Sequence, residues 1–299
     1  MLLESADAFG DQVADYRSEL FAHCYRMLGT VDEAEDALQE ALTRAWQGRH
    51  TYREQISFRG WLYRIATNTC LNAIAARKRG HVEPGPCPDD LLAGIASSDS
   101  GPEARYDSHE SVSLAFLTVL QVLPPRQRAV LLLRDVLAFR GAEVARLLET
   151  SVHAVNSTLQ RARMTLRGSY SRPRLVNPPN LLERYVKAWE AADVASLVAL
   201  LREDAVLTMP PKPAVSGARA IGDFLAGSIF SMGPMRLVAT RANESPAYVL
   251  YIGERAFALL VIDGDGEGMA RINAYADPRV LARFEPAASG LTPSSGEAG

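Results

Sequence analysis

Apolar residues return every three or four positions through the first part of the chain, the spacing of one face of a helix. In "QVADYRSELFAHCYRML" the stripe is Val13, Tyr16, Leu20, Cys24 and Met27, and Gly29-Thr30 ends it. "VDEAEDALQEALTRAW" repeats the pattern. Ala34, Ala37, Leu38, Ala41, Leu42, Ala45 and Trp46 form its apolar face, with Asp32 as the expected N-cap and Glu35 three residues on. The outer face carries Asp36, Gln39, Glu40, Thr43 and Arg44. A third helix, "SFRGWLYRIATNTCLNAIAARKR", takes Ser57 as its cap and starts a buried stripe with Phe58, Trp61, Leu62 and Ile65.

The pattern then breaks. "GHVEPGPCPDDLLAGIASSDSGPEARYDSHE", residues 80–110, is rich in Pro, Gly, Ser and acids and is expected to be a flexible, solvated linker. Helical spacing resumes at Val112 and runs to about Tyr170, with Pro124-Pro125 starting a new helix in "RQRAVLLLRDVLA". A second linker, "SRPRLVNPPN", covers 171–180. Beyond it, "LLERYVKAWEAAD", "VASLVALLRE" and "GARAIGDFLAGSI" read as helices. "AVLTMP", "MRLVATRA", "AYVLYIG", "AFALLVIDG" and "GMARINAYA" read as strands, being β-branched or aromatic and bounded by turn residues. Helices followed by a run of strands predict an α+β domain, with helices on one face of an antiparallel, curved sheet. The tail "AASGLTPSSGEAG" is expected to be disordered.

One stretch carries chemistry. In "TSVHAVNSTLQRAR", residues 150–163, Ser151 is the expected N-cap, and Val152, Val155, Leu159 and Leu166 fall on one buried stripe. His153, Asn156, Ser157, Gln160, Arg163 and Met164 point the other way. Upstream, "RGAEVARLLET" gives a shorter helix with Val144, Leu147 and Leu148 inward, and a tight "ETS" joint separates the two. That is a helix-turn-helix, whose second helix enters the DNA major groove. Asn and Gln bond adenine with two hydrogen bonds, and Arg does so to guanine. A carboxylate there would repel phosphates, and none is present. The third helix ends in Arg77, Lys78 and Arg79, and carries Arg64, Asn68 and Asn72 beside Trp61 and Tyr63. Cations among aromatic rings suit a melted strand. Trp61 reads equally as a core anchor, and the basic end as a partner of the helix dipole.

Charge changes the picture only when read locally. The 299 residues hold 32 Lys plus Arg against 35 Asp plus Glu, a formal charge of −3, which taken globally argues against nucleic acid. Between Pro124 and Tyr170, however, 8 basic residues face 3 acidic ones, the footprint of phosphate neutralisation. Residues 80–110 have the opposite bias. Cys24, Cys70 and Cys87 are scattered without a CxxC pair, and five His are too dispersed for zinc. No metal and no cofactor are expected, and the thiols read as small apolar groups in a reducing cytoplasm. The first residues lack a basic n-region, and no apolar run is long enough to span a bilayer, so no membrane insertion is expected.

"HCYRMLGTVDEAEDALQEALTRAW" and "SFRGWLYRIATNTCLNAIAARKR" together resemble region 2 of extracytoplasmic-function sigma factors, the bacterial promoter-recognition subunits of RNA polymerase. "LPPRQRAVLLLRDVLAFRGAEVARLLETSVHAVNSTLQRARMTLR" resembles their region 4. "LLERYVKAWEAADVASLVALLREDAVLTMPP" to about Arg283 resembles a SnoaL-like domain of the NTF2-like fold. The resemblance implies a multidomain fold: two all-α sigma domains, a helical region 2 and a helix-turn-helix region 4, then an α+β, cone-shaped NTF2-like domain. Its boundaries are 1–79 for region 2, 80–111 for the acidic linker, 112–170 for region 4, 171–180 for the second linker, 181–285 for the SnoaL-like domain and 286–299 for the tail. It implies core RNA polymerase and promoter DNA as partners. Asp36, Gln39, Glu40 and Arg44 would dock on the β′ clamp helices, and region 4 would meet the β flap. Trp61, Arg64, Asn68, Asn72, Arg77, Lys78 and Arg79 would engage the −10 element. Ser151, His153, Asn156, Ser157 and Gln160 would read the −35 element, with Arg140, Arg161 and Arg163 on phosphates. Many relatives carry "VKSR"-like strings where this chain has "VNST", so base preference does not transfer. An anti-sigma factor or a small ligand is a further partner such proteins take.

The cone-shaped pocket of this fold would be lined by Tyr185, Trp189, Met209, Phe224 and Tyr251. Some relatives of the fold are enzymes with an Asp or His inside. Here no His follows His153, and Asp204 and Asp265 are expected to be exposed at a strand start and a turn. No catalytic residue is expected. "DGDGEG", residues 263–268, resembles a calcium loop, yet Ala274 stands where an EF-hand needs Glu, so a hairpin turn is expected. Two other readings compete: a free-standing helix-turn-helix regulator, which leaves 12–79 unexplained, and a SnoaL-like ligand-binding or enzymatic protein with a DNA-binding N-terminal part.

Overall fold

The computed structural model describes residues 6–52, 56–77, 83–93, 110–167, 179–265 and 268–284. The chain forms two compact units: Met1–Arg174 with Arg241–Ser245, and Leu175–Thr240 with Pro246–Gly299.

Apart from Arg241–Ser245, which belongs to a strand pair and bridges to Pro88, the regular elements described in the first unit are helices. Its helices are α1 (Ala6–Leu28), α2 (Val31–Gly48), α3 (Phe58–Ala76), α4 (Asp89–Leu92), α5 (Leu114–Val122), α6 (Pro125–Leu131), α7 (Gly141–Leu147) and α8 (Val152–Arg167). The stripe read in α1 is buried at Val13, Leu20, Cys24 and Met27. Gly29 ends the helix at φ +92°, where a side chain would also crowd Gln121 at 3.2 Å. In α2 the N-cap is Thr30 rather than Asp32, so the helix begins at Val31. Leu42 and Trp46 are only half-buried, because α1 and α3 cover the narrower Ala-lined stripe. Ser57 caps α3 as expected, accepting from Gly60 N at 3.1 Å. After α6 the helix widens into a π turn, Leu132–Val136.

The 80–110 stretch departs from the expected solvated linker. Pro84, Pro86, Cys87, Pro88 and Leu92 are buried, and α4 forms within it. Gly85 N donates to Gly29 O at 2.9 Å, and Tyr25 Oη donates to Gly85 O at 2.7 Å. The apolar members of the Pro-rich run supply the burial that its composition hides. Asn243, 1% exposed, completes this seat. Its Oδ1 accepts from Cys87 N at 2.8 Å, and its Nδ2 donates to Tyr25 Oη at 2.8 Å and Val112 O at 2.7 Å. Its own N–H donates to Cys87 O at 2.9 Å. Residues 80–82 and 94–109 of that expected linker, the 171–178 stretch and the expected disordered tail 286–299 lie outside the described residues.

The second unit contains α9 (Pro179–Glu190), α10 (Val194–Val198), β1 (Leu201–Met209), β2 (Lys212–Ser216), α11 (Ala218–Phe224), β3 (Met235–Ala242), β4 (Ser245–Ile252), β5 (Arg255–Asp265), β6 (Gly268–Tyr275) and α12 (Pro278–Leu281). The sheet order is β2-β1-β6-β5-β4-β3. The expected all-antiparallel sheet is instead mixed, since β1 pairs with β6 in parallel. The helix expected to run on through "LLRE" stops at Val198, and Leu201 opens β1. Strand β2, "KPAVS", went unread because its Lys and Pro suit an exposed edge. The expected hairpin at "DGDGEG" is present: Asp265 pairs with Gly268. Tyr185, Trp189, Leu207, Ile221, Leu250, Leu260 and Ile272 lie in the core between helices and sheet.

Candidate nucleic-acid interface

Ser151 caps α8, its Oγ accepting from Ala154 N at 3.1 Å. Val155, Leu159, Ala162 and Leu166 are buried against the preceding helices. Val152 is not; it is 44% exposed, and the buried stripe starts at Val155 and also includes Ala162. The face left to solvent carries Ser151, His153, Asn156, Gln160 and Arg161, with Ser157 half-buried beside them. Arg140 stands exposed at the start of α7, its backbone N–H held by Glu143 Oε2 at 2.7 Å. The joint between α7 and α8 turns at Glu149, φ +51°, with Thr150 N donating to Ala145 O at 2.8 Å.

Arg163 is not part of that open face. Its Nε donates to Asp135 Oδ2 at 2.8 Å, and its second arm reaches Oδ1 of the same buried carboxylate. It is the counterion of Asp135, which explains why a cation sits on the edge of the buried stripe. Here its guanidinium is engaged by Asp135 rather than open to a phosphate.

The residues read together on α3 separate into three kinds. Trp61 is 7% exposed and packs on Tyr52 and Phe58, with ring centroids at 5.5 and 5.6 Å, so the core role wins over an open stacking platform. Arg77 is spent inside the unit, on both oxygens of Glu33 and on Leu28 O at 2.8 Å. Asn68 and Asn72 are exposed. Arg64 is half-buried and ion-paired with Glu149. Lys78 and Arg79 lie outside the described residues. Sequence reasoning missed Arg59, which holds Glu19 through both arms at 3.0–3.2 Å and lies 4.8 Å from the Phe139 ring. Its place beside the apolar stripe was the available signal.

On α2, Asp36, Gln39, Glu40 and Arg44 all face solvent, with Arg44 Nε 2.6 Å from Glu40 Oε1. This leaves a polar outer face with no other role in the fold of the unit.

In the second unit, Trp189, Met209 and Phe224 line a cavity of about 40 Å³ with Leu250, Leu260 and Ile272. Tyr185 does not line it; it packs behind Trp189, and burial pushes its hydroxyl above the usual phenol range. Tyr251 is also elsewhere, under the Arg236 guanidinium at 4.5 Å. Both aromatics sit on elements that do line the cavity, α9 through Trp189 and β4 through Leu250, but at positions that point away from it. Asp204 is exposed and paired with Arg202 at 2.9 Å, which holds its carboxyl below the usual range. Asp265 is the last residue of β5. Among the described residues no group of three or more His, Cys, Asp and Glu could hold a metal ion, and no helix is long and apolar enough to cross a membrane.

Residues 12–80 match Sigma-70 region 2, residues 113–166 match Sigma-70 region 4, and residues 182–276 match the SnoaL-like domain. SigG of Mycobacterium tuberculosis, an ECF RNA polymerase sigma factor, is 39% identical over 307 residues, covering 92% of this chain and 83% of that protein. SigW of Bacillus subtilis is 33% identical over 174 residues, covering 54% of this chain and 88% of that protein. The crystal structure of the M. tuberculosis sigma factor SigJ has a similar fold, with a TM-score of 0.63 at 23% identity over 92% of this chain and 98% of that one.

Proposed function

The chain belongs to the extracytoplasmic-function sigma factors of RNA polymerase, and from that premise we propose how its own residues divide the reading of a promoter. Helix α8 reads the −35 element: Asn156 and Gln160 contact base edges, and Arg140 and Arg161 hold phosphates. Helix α3 engages the −10 element through Arg64, Asn68 and Asn72. The outer face of α2, with Asp36, Gln39, Glu40 and Arg44, docks on core polymerase at the β′ clamp helices, and region 4 meets the β flap. Because that polymerase works in the cytoplasm, so does this chain.

The observation that carries the −35 assignment is the solvent face of α8. It is N-capped, lacks any carboxylate from Thr150 to Arg167, and leaves its polar side chains open. Each base-contacting side chain contributes about 1–3 kcal/mol of discrimination. The test is run-off transcription with purified chain, core RNA polymerase and a genomic fragment library. Transcripts are expected to start downstream of one shared two-part motif. Substituting Asn156→Ala should relax preference in its −35 half alone. Initiation no higher than core polymerase gives by itself would sink the reading.

The SnoaL-like unit modulates this activity and does not catalyse a reaction. Its cavity is lined by carbon-rich side chains without a carboxylate or imidazole, and its candidate acid, Asp204, is exposed and paired. Ending the chain after residue 180 is expected to change initiation at the same promoters. Equal transcription by the truncated and full chains would rule out modulation.

A further inference from the structure

The apolar cavity of the second unit adjoins a larger open space. The cavity is about 40 Å³ and is lined by aliphatic and aromatic side chains. Phe257 lines it and also lines a groove of about 590 Å³, together with Met232, Ile252, Arg255, Ala276 and Leu281. Two further elements run from one space to the other. A π turn, Leu225–Ile229, gives Leu225 and Ile229 to the cavity, and the 3₁₀ turn that follows, Phe230–Met232, gives Met232 to the groove. Strand β6 gives Ala274 to the cavity, and Ala276, just past its end, lines the groove.

Phe257 owes its position to a β-bulge. Ala258 pairs with Leu250 and Ala256 with Tyr251, so Phe257 is an extra residue in β5 with no opposite number in β4. A bulge re-aims a side chain, and bulges are frequent beside binding sites. The Phe257 ring is half-buried where the two spaces meet. Two residues back along β5, Arg255 is exposed, and its guanidinium has no carboxylate partner among the described residues. Asp277 and Arg279, on either side of Pro278, pair with each other at 2.9 Å. Arg255 is therefore the one charged side chain among the residues lining the groove.

We propose that cavity and groove form one binding site for a small amphipathic acid, its carboxylate on Arg255 and its acyl tail running past Phe257 into the cavity. The cavity rewards carbon alone, because a polar group buried there would lose its water without a replacement. Its size selects a tail over a ring: a dry apolar cavity of about 150 Å³ takes benzene, so 40 Å³ takes only the end of a chain. At the rim the carboxylate stays hydrated and gains a charge-assisted hydrogen bond. Leu260, which lines the cavity, and Arg255 are both in β5, about 17 Å apart at 3.4 Å per residue. A medium-length acyl acid spans that distance, and a compact molecule does not. The binding does not depend on the modulating role proposed above; only its use as a signal does.

The test is equilibrium dialysis of the full chain against octanoate, decanoate and decanol, each below its micelle-forming concentration. Decanoate is expected to saturate one site and to bind about tenfold more tightly than octanoate, since each further methylene taken out of water is worth about fourfold in affinity. Arg255→Glu, at an exposed position, should weaken decanoate about tenfold by replacing attraction with repulsion, and should leave decanol unchanged. Ala274→Leu fills the cavity from a half-buried position and should abolish binding of both, with a thermal midpoint to show that the chain still folds. The chain-length series on the unaltered protein needs no variant. Four results overturn the proposal: no saturable binding of decanoate, equal affinity for octanoate and decanoate, undiminished decanoate binding by Arg255→Glu, or undiminished binding by a folded Ala274→Leu chain. Unaltered run-off transcription in the chain ended after residue 180 would sink the modulating role and leave this site standing.

Discussion

Arg161 and Arg163 stand two residues apart on one helix and do different work. Arg161 is exposed and touches only Ser157 and Thr158 hydroxyls, at 3.4 and 3.2 Å. Arg161→Ala should leave stability within about 0.5 kcal/mol and lower the salt dependence of promoter binding by about one phosphate contact. Arg163→Met strands the carboxylate of Asp135, which is 2% exposed, and should cost about 3–5 kcal/mol in urea unfolding. Acid should weaken the first unit through His23. Burial, reinforced by Arg26 and Arg59, depresses this imidazole to about 3, and its Nε2 lies 2.9 Å from Thr67 Oγ1. Only the unfolded chain takes up the proton between pH 6.5 and 3, so this contribution is full above about 6.5 and is lost as pH falls. The expected loss is about 2 kcal/mol from pH 7 to pH 5, and His23→Gln should remove that part of the slope. None of this was legible residue by residue. The sequence shows a cation or an imidazole, while burial and the facing partner decide whether it binds DNA, neutralises a core carboxylate or sits uncharged.

Among the helices, ends and close approaches decide stability more than propensity does. Gly222 of α11 meets α10, where an added Cβ would stand 2.5 Å from Val198 Cγ2 and 3.3 Å from Val194 Cγ1. A stiff Val cannot swing aside, so Gly222→Ala should destabilise the second unit by about 1–3 kcal/mol, read as a shift in thermal midpoint. Ser57 and Ser151 were legible as caps because hydroxyls before apolar periodicity have a fixed job at helix starts. The long helices were legible for the same reason: their stripes are local. Strand β2 was not, because its Lys and Pro suit an exposed edge and hide the strand pattern, and the premature end of α10 was not, because the parallel partner of β1 lies far along the chain.

For the molecule as a whole, the 83–93 segment is the main surprise. Its Pro-rich composition reads as a tether, yet it is seated on α1 and capped by Asn243, a residue 156 positions beyond Cys87. Asn243→Ala removes the partners of buried Cys87 N–H and Val112 C=O and leaves Ala at φ +53°. It should destabilise the first unit by about 2–4 kcal/mol in urea unfolding. An unchanged midpoint would show that water replaces these bonds and that the seat contributes little. Truncation after residue 180 also deletes Asn243, so the point variant separates the loss of this seat from the loss of the SnoaL-like unit.

Periodicity, caps and local charge were enough to give the helices of regions 2 and 4, the polar solvent face of α8, the outer face of α2 and the α+β character of the last third. These are properties of neighbours in the chain, and helix geometry converts sequence spacing into a face without outside help. Tertiary structure alone decided which cations are spent on ion pairs inside the first unit, where the 83–93 segment lies and how β1 pairs. Each of those depends on contacts between residues tens to hundreds of positions apart, where desolvation and a facing partner set the outcome and no local pattern records it.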